Sequence, residues 1–515
     1  MSLALAGCSL GGGGEPATQA PSSDPSVTAA PQADLSPFYE QVLQWGPCDD
    51  VDPPAGVEVD AHECTTVRVP LDYERPDAED LEIAVTRLPA AGARTGALVV
   101  NPGGPGGSGV DYALQAGLVT SEQVREAYDV VGFDPRGVFR SGGVDCVDDE
   151  TYDAFAAADP SPDDTSDLVE LERLSGLLAD GCADDPVAPH ADTVSATRDM
   201  DVLRAALGES ELTYLGKSYG TILGAMYAEL FPDRVGRMVL DGAVDLPPRE
   251  ASDPETAVEQ ARGFEVALES FVTDCLKRED CPLSGTPDEG VGQVRALLAS
   301  LETAPLPTGD EDRPLGQGLG LFALVGPLYQ YDLWPALRQG LTAALGGDGE
   351  ILLLINDLFA ERGPDGYRGN AGEAIYAVNC VDGGADPDGA EALTVADLDE
   401  LADLLADEAP TFGPQLAYGG LPCLSWPHEA VAWPTVTGDG AGEIVVVGTT
   451  RDPATPGVWA ERLAAQLESG VLVTFDGDGH TAYGQTGAGC VDEALDAFWL
   501  DGTVPEDGLV CPAEY

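Results

Sequence analysis

Ser218 stands in Gly216-Lys217-Ser218-Tyr219-Gly220, between the apolar run of residues 212–215 and the helix-like stretch TILGAMYAEL. Glycines on both sides of a serine at a strand-to-helix turn permit backbone angles and close contacts that other residues resist, so the hydroxyl is thrust above the end of the strand. Such a serine attacks a carbonyl when a base takes its proton and a carboxylate orients that base. The chain has four histidines, so the search for the base is short. His62 lies between two cysteines, His190 precedes a helical pattern and His428 sits in a proline-flanked connection. His480 alone follows an apolar strand pattern, VLVTF, in the glycine-bearing loop Asp476-Gly477-Asp478-Gly479-His480. It is the expected base. For the carboxylate, Asp452 follows EIVVVG by a short loop, and one helix and one strand separate it from His480, so both side chains emerge from neighbouring loops at one sheet edge. Asp241, which ends RMVLD after the serine's helix, is the second candidate. Tyr219 opens that helix, where unpaired N–H groups and the positive dipole end favour a developing oxyanion.

The elements that must position these residues are legible as patterns. CTTVRVPLDY and LEIAVTRLPA read as an antiparallel hairpin at a sheet edge. GALVV, YDVVGF, the strand before Ser218, RMVLD, IVVV and VLVTF then alternate with helical stretches, including one over residues 193–207. That alternation argues for an α/β fold, a mostly parallel sheet with helices on both faces. Asp134 and Arg136, in GFDPRG, are expected to tie loops together, and residues 145–185 form an acidic, partly helical insertion between two cysteines. The alternation stops near Pro247-Pro248, and helical periodicity takes over until the sheet pattern returns at GEIVVVGTTRDPATP. The division that follows is a tether over 1–37, a first core segment over 38–248, an inserted helical cap over 249–434 and a second core segment over 435–515. Thr455-Pro456 reads as a helix N-cap followed by proline in the first helical position.

Composition narrows the function classes. Against 24 Lys and Arg stand 91 Asp and Glu, a formal charge of −67 over 515 residues. Nucleic acid and bare anionic membrane are therefore poor partners. Most of this acidity reads as a solvated surface that tolerates molar salt. Of eleven cysteines, Cys8 stands apart in Leu5-Ala6-Gly7-Cys8, which resembles a bacterial lipobox whose cysteine carries lipid. Seven residues before Cys8 are too few for a signal peptide, so the native start is expected upstream. A Pro/Ser/Ala/Thr tract runs from the glycines after Cys8 to about Pro37, too polar to bury a core. The other cysteines form an even set, which points to an oxidising compartment. Their connectivity is not fixed by sequence; pairing chain neighbours would join 48 with 64, 146 with 182, 275 with 281, 380 with 423 and 490 with 511. No Cys-x-x-Cys or His-Glu-x-x-His pattern suggests a metal, no phosphate-loop signature suggests a nucleotide, and no cofactor is expected. No stretch approaches the roughly 20 apolar residues of a membrane span, so membrane attachment is expected only through a lipid on Cys8.

Taken together, NPGGPGGSG, GFDPRG, LGKSYGTILG, GTTRDPATP and GDGH, with the cysteine spacing and the lipobox, resemble the actinobacterial tripeptidyl-aminopeptidase-like α/β-hydrolases. Among these the chain is similar to lipid-anchored mycobacterial cell-envelope serine proteases that also show carboxylesterase activity. The order Ser218, Asp452, His480 is the chain order of that fold. The resemblance implies a Ser218-Asp452-His480 triad, an oxyanion hole from the N–H groups of Gly104 and Tyr219, five disulfides and a substrate-limiting cap. Prolyl aminopeptidases usually carry histidine where Pro102 stands, which weakens a proline-specific reading. The expected activity is release of short pieces from peptides with a free N-terminus by a secreted serine hydrolase; the alternatives are a carboxylesterase with the same triad and a noncatalytic binding lipoprotein. An aminopeptidase needs an anion for the substrate's α-ammonium group. Asp382, two residues after Cys380, is a candidate substrate-binding residue for it, against the plainer reading of an exposed acidic loop.

Overall fold

A computed structural model describes residues 34–49, 51–246, 254–383 and 394–515. Cys8 and the tether up to residue 33 lie outside the described residues. The strands are β1 (Gly46–Pro47), β2 (Glu63–Pro70), β3 (Asp80–Leu88), β4 (Gly96–Asn101), β5 (Tyr128–Phe133), β6 (Leu212–Lys217), β7 (Val235–Asp241), a separate small hairpin of β8 (Arg362–Gly363) and β9 (Gly366–Tyr367), then β10 (Ile444–Arg451), β11 (Gly470–Asp478) and β12 (Leu509–Pro512). The central sheet has ten strands in the order β1-β2-β3-β5-β4-β6-β7-β10-β11-β12. β2 pairs antiparallel with β3, and β3 with β5, while every pairing from β5 to β12 is parallel. β4 and β5 are buried at every position, as strands covered on both faces must be, and their sequences are accordingly almost unbroken apolar runs.

Alternate residues of each strand feed opposite cores. In β10, Ile444 and Val446 pack with Met200, Leu203, Leu223 and Met226 from the helices Thr193–Ala206 and Tyr219–Leu230. Val445 and Val447 pack with Val491, Leu495 and Trp499 from the helix Gly489–Asp501 on the other face. The period of two along the strand thus builds a three-layer α/β sandwich. Arg136 and Asp199 form a fully buried pair, with the guanidinium also donating to the carbonyls of Pro70, Leu71 and His190. Its charge is satisfied by hydrogen bonds on every side, which is what allows an arginine to be interior. The loops after β2 and β5 are joined through it, as the sequence leads one to expect.

Between β7 and β10 the described residues are mostly helical apart from the small β8–β9 hairpin, beginning at Pro254–Cys275 and continuing through Gly413–Tyr418. These helices have a core of their own, built on Phe264, Leu268, Phe271, Leu298, Leu324, Trp334 and Leu341. The acidic insertion folds as the helices Asp149–Ala157 and Thr165–Gly181, N-capped by the side chains of Asp148 and Asp164. Although it precedes β6 in the chain, it lies against the inserted helices. Arg362 pairs with Asp153, and one Glu373 oxygen accepts from the N–H groups of Cys146 and Val147. Spatially it thus belongs with the helical layer as well as with the first core segment.

Five disulfides join Cys48 to Cys64, Cys146 to Cys182, Cys275 to Cys281, Cys380 to Cys423 and Cys490 to Cys511, each cysteine bonded to its neighbour in the chain. A protein stapled in this way folds in an oxidising, extracytoplasmic compartment. Among the described residues no helix is long and apolar enough to cross a membrane.

Candidate active site

Ser218 is held at φ +55 and ψ −123, between the last residue of β6 and the first turn of the helix Tyr219–Leu230. A serine rarely adopts a positive φ, and surrounding structure must over-determine it. Here the strand and the helix nearly touch: a Cβ on Gly216 would lie 2.2 Å from the Gly220 carbonyl oxygen, and one on Gly220 would lie 2.8 Å from Asn101 Oδ1. The Ser218 N–H donates to the Asp241 carbonyl at 3.0 Å, which fastens the turn to β7.

The glycine-rich loop after β4 folds over this turn. A Cβ on Gly103 would stand 2.9 Å from both Ser218 Cβ and the Tyr219 nitrogen, so only glycine fits against Ser218. The Gly103 N–H is spent on Asn101 Oδ1 at 2.9 Å. Among the described residues neither Gly104 nor Tyr219 has its N–H taken by an internal acceptor. One N–H at a helix N-terminus and one from the glycine loop folded over it are an arrangement that can receive an oxyanion. The loop is anchored below by Asp134, which accepts from Ser108 Oγ at 2.5 Å, from the Val110 N–H at 3.1 Å and from Arg140 at 3.2 Å.

His480 and Asp452 are brought together by the parallel neighbours β10 and β11. The His480 Nδ1 atom lies 2.9 Å and 3.1 Å from the two Asp452 oxygens. Asp452 is 1% exposed and also accepts from the N–H groups of Ala454, Thr455 and Thr481 at 2.9, 2.8 and 3.0 Å. So many donors fix the carboxylate in place, and an imidazole that donates to it through Nδ1 leaves Nε2 free to accept a proton. Thr455 is not the helix cap that its sequence suggests: the helix is Gly457–Gln466 with Pro456 at the N-cap position, and the Thr455 hydroxyl lies 3.3 Å from His480 Nδ1. The cap reading fails because the helix starts at Gly457 with Pro456, not Thr455, at its N-cap, and the threonine hydroxyl meets the imidazole instead. The His480 ring borders Gly242, where an added Cβ would lie 3.4 Å from its Cε1, and Gly242 follows the residue whose carbonyl receives the Ser218 N–H. Ser218 and His480 therefore share one edge of the sheet. Among the described residues Ser218 Oγ makes no hydrogen bond to His480; such bonds often form only when substrate is bound.

Asp241 does not contact the imidazole nitrogens. Its carboxylate accepts the N–H groups of Ala482 and Tyr483 at 2.8 and 2.9 Å, so it holds the loop beyond the base. His428 donates to or accepts nothing from this group; its Nε2 lies 3.0 Å from the Cys182 carbonyl oxygen. Asp382 is found on neither an open acidic loop nor a free rim. It lies at the end of the helix Ala371–Gly383, 5% exposed, and accepts from the Thr193 N–H at 3.0 Å, from Trp433 Nε1 at 3.1 Å and from the Thr193 hydroxyl at 2.5 Å. Burial pushes its carboxyl up to about 6. Thr193 Oγ1 is in turn 2.7 Å from the Tyr219 phenol. Both Asp382 oxygens are thus occupied by protein donors, and Thr193 alone stands between the carboxylate and the Tyr219 phenol. Tyr329, from the helical insertion, was not legible as a site residue: its carbonyl accepts the His480 N–H, and nothing in GPLYQYD marks it.

The family described as alpha/beta hydrolase fold matches residues 96–360, and the TAP-like protein family matches residues 409–511. The chain is 37% identical over 497 residues to the serine protease Hip1 of Mycobacterium tuberculosis, covering 92% of each chain. It is 36% identical over 495 residues to carboxylesterase B of the same organism, covering 94% of this chain and 92% of the relative. To the tripeptidyl aminopeptidase of Streptomyces coelicolor it is 32% identical over 472 residues, 87% of this chain and 83% of the relative. Likeness along nearly the whole chain joins the parallel sheet and the glycine-bounded serine in one conclusion: the chain belongs to the α/β-hydrolase family, in its TAP-like branch, and is a serine hydrolase.

Proposed function

We propose that this enzyme is an exported peptidase that removes short peptides, tripeptides among them, from free N-termini, with Ser218 as nucleophile, His480 as general base and Asp452 as the carboxylate that orients it. Ser218 Oγ attacks the scissile carbonyl while His480 Nε2 takes its proton. The oxyanion that forms is received by the N–H groups of Gly104 and Tyr219. The imidazolium, steadied by Asp452, passes the proton to the leaving amine, and water activated by the same histidine hydrolyses the acyl-enzyme. The observation that carries this reading is the His480–Asp452 hydrogen bond of 2.9 Å at the sheet edge where Ser218 sits at φ +55. The helical layer over that edge limits what can enter, as an exopeptidase requires. A lipid on Cys8 would hold the enzyme at the outer face of the cell membrane, with residues 9–37 as a tether.

The second reading is a carboxylesterase using the same residues. The similarity to carboxylesterase B, almost equal to that with the serine protease, favours keeping it. One experiment separates the two. A library of peptides, each free and N-acetylated, is digested by the wild type beside Ser218→Ala and followed by mass spectrometry, with simple acyl esters assayed in parallel. Release of short N-terminal pieces from the free peptides alone, lost in Ser218→Ala, is the expected result. Cleavage of esters with all peptides left intact would overturn the peptidase reading.

A further inference from the structure

Lys217 and Asp241 are cross-strand partners at the ends of β6 and β7. Their side chains are 12% and 0% exposed, with Lys217 Nζ 3.7 Å from Asp241 Oδ2. Lys217 directly precedes the nucleophile, and its ammonium donates to the Tyr483 carbonyl at 2.6 Å. Besides this pairing, Asp241 accepts three hydrogen bonds. Its carbonyl accepts the Ser218 N–H at 3.0 Å, and its carboxylate accepts the N–H groups of Ala482 at 2.8 Å and Tyr483 at 2.9 Å. Both polar groups of the Tyr483 backbone are therefore held by this one pair. Four successive N–H groups in the loop then have assigned acceptors: His480 to the Tyr329 carbonyl, Thr481 to Asp452, and Ala482 and Tyr483 to Asp241.

An interior lysine and aspartate add little net stability, because desolvation offsets their attraction. What such a pair does supply is direction. A point charge under the Tyr483 carbonyl and a two-oxygen acceptor under adjacent N–H groups fix the peptide planes of the segment that begins at His480. We propose that Lys217 and Asp241 are positioning residues that lock the base-bearing loop to the nucleophile strand, so that Ser218 and His480 are placed from one shared frame. The inference rests on the assignment of His480 as the base for Ser218. It gives buried Asp241, the second candidate for the triad acid, a role that does not compete with Asp452.

The test uses the full-length chain and the variants Lys217→Met, Lys217→Arg and Asp241→Asn, with competent sites counted by complete fluorophosphonate labelling so that misfolded protein is excluded. Lys217→Met is expected to lower kcat by about ten- to a hundred-fold with KM changed by less than about three-fold, the signature of lost geometry and not of lost binding. Hydrogen exchange across residues 480–483 should quicken in Lys217→Met and Asp241→Asn while the strand and helix around Ser218 stay protected. Lys217→Arg, which keeps the charge, should recover most of kcat. For Lys217→Met, a kcat within about two-fold of the wild type, or a loss of kcat with unchanged exchange at 480–483, would overturn the proposal. Should Lys217→Met not fold, Asp241→Asn is judged by the same two readouts. Ser218→Ala and His480→Ala run alongside: activity surviving in either defeats the triad itself, a failure separate from that of the positioning pair.

Discussion

The His480 N–H donates to the Tyr329 carbonyl at 2.8 Å, and the two rings lie 4.8 Å apart, so the proposed base is fastened to the helical layer as well as to the sheet. Gly479 makes this contact possible. It adopts φ +106, and a Cβ there would stand 2.9 Å from the Tyr329 carbonyl oxygen. Gly479→Ala should push the loop away from Tyr329 and lower kcat by roughly ten-fold or more, since small misplacements of a catalytic group are expensive. Steady-state kinetics on titrated enzyme check this; an unchanged kcat would show that the helical layer does not set the base.

Asp382→Asn separates two roles for a buried carboxylate. As part of the chain from Trp433 through Thr193 to the Tyr219 phenol, Asp382 supports the turn that carries a proposed oxyanion N–H. The substitution should cost about 1 kcal/mol of stability, the worth of a disturbed hydrogen bond, and leave the preference for free over acetylated peptides intact. Collapse of that preference with normal stability would instead make Asp382 the anchor for the substrate ammonium.

Glu373 gives a pH signature. Burial, reinforced by Asp145 and Asp149, raises its carboxyl from 4.5 to about 7, against the pull of two backbone N–H groups. A carboxyl with a raised folded-state pKa binds its proton more tightly when folded, so its contribution to stability is full below 4.5 and is lost as pH rises through about 7. Glu373→Gln keeps an oxygen for the Cys146 and Val147 N–H groups and removes the charge. Thermal melts between pH 5 and 8 should show a flatter decline in the variant, with a gain on the order of 1 kcal/mol at the alkaline end. An identical slope in both proteins would refute it.

The formal charge of −67 leads to the fourth expectation. Self-repulsion among exposed carboxylates is relieved as salt shortens the Debye length from about 10 Å at 0.1 M to about 3 Å at 1 M. The melting temperature should therefore rise, by a few degrees, between low salt and about 1 M sodium chloride, and activity should persist there. Differential scanning fluorimetry and an ester assay at each salt concentration test both halves, and a fall in either would mean that ion pairs such as Arg87 with Glu63 outweigh the repulsion.

Much of the site was legible because its parts are local. Gly-x-Ser-x-Gly between an apolar run and a helical run carries its own turn geometry, and with four histidines the base had little competition. Asp452 followed from counting one helix and one strand to His480. The roles of Asp241, Lys217 and Tyr329 were not legible. Each acts on the backbone of a residue hundreds of positions or a whole layer away, and backbone acceptors leave no trace in side-chain identity.

By itself the sequence determined the alternation of strands and helices, the parallel core, the helical insertion, the nucleophile turn and the order Ser218, Asp452, His480, because hydrophobic period, glycine placement and chain order are properties of short segments. Only the tertiary structure decided that the acidic insertion leans on the helical layer, that Asp382 is buried behind Thr193 and not set on an open loop, and that Thr455 turns its hydroxyl to His480 and not to a helix N–H. Those outcomes depend on which donor each polar group meets first in the packed chain, and that is fixed by distance in space, which no local pattern encodes.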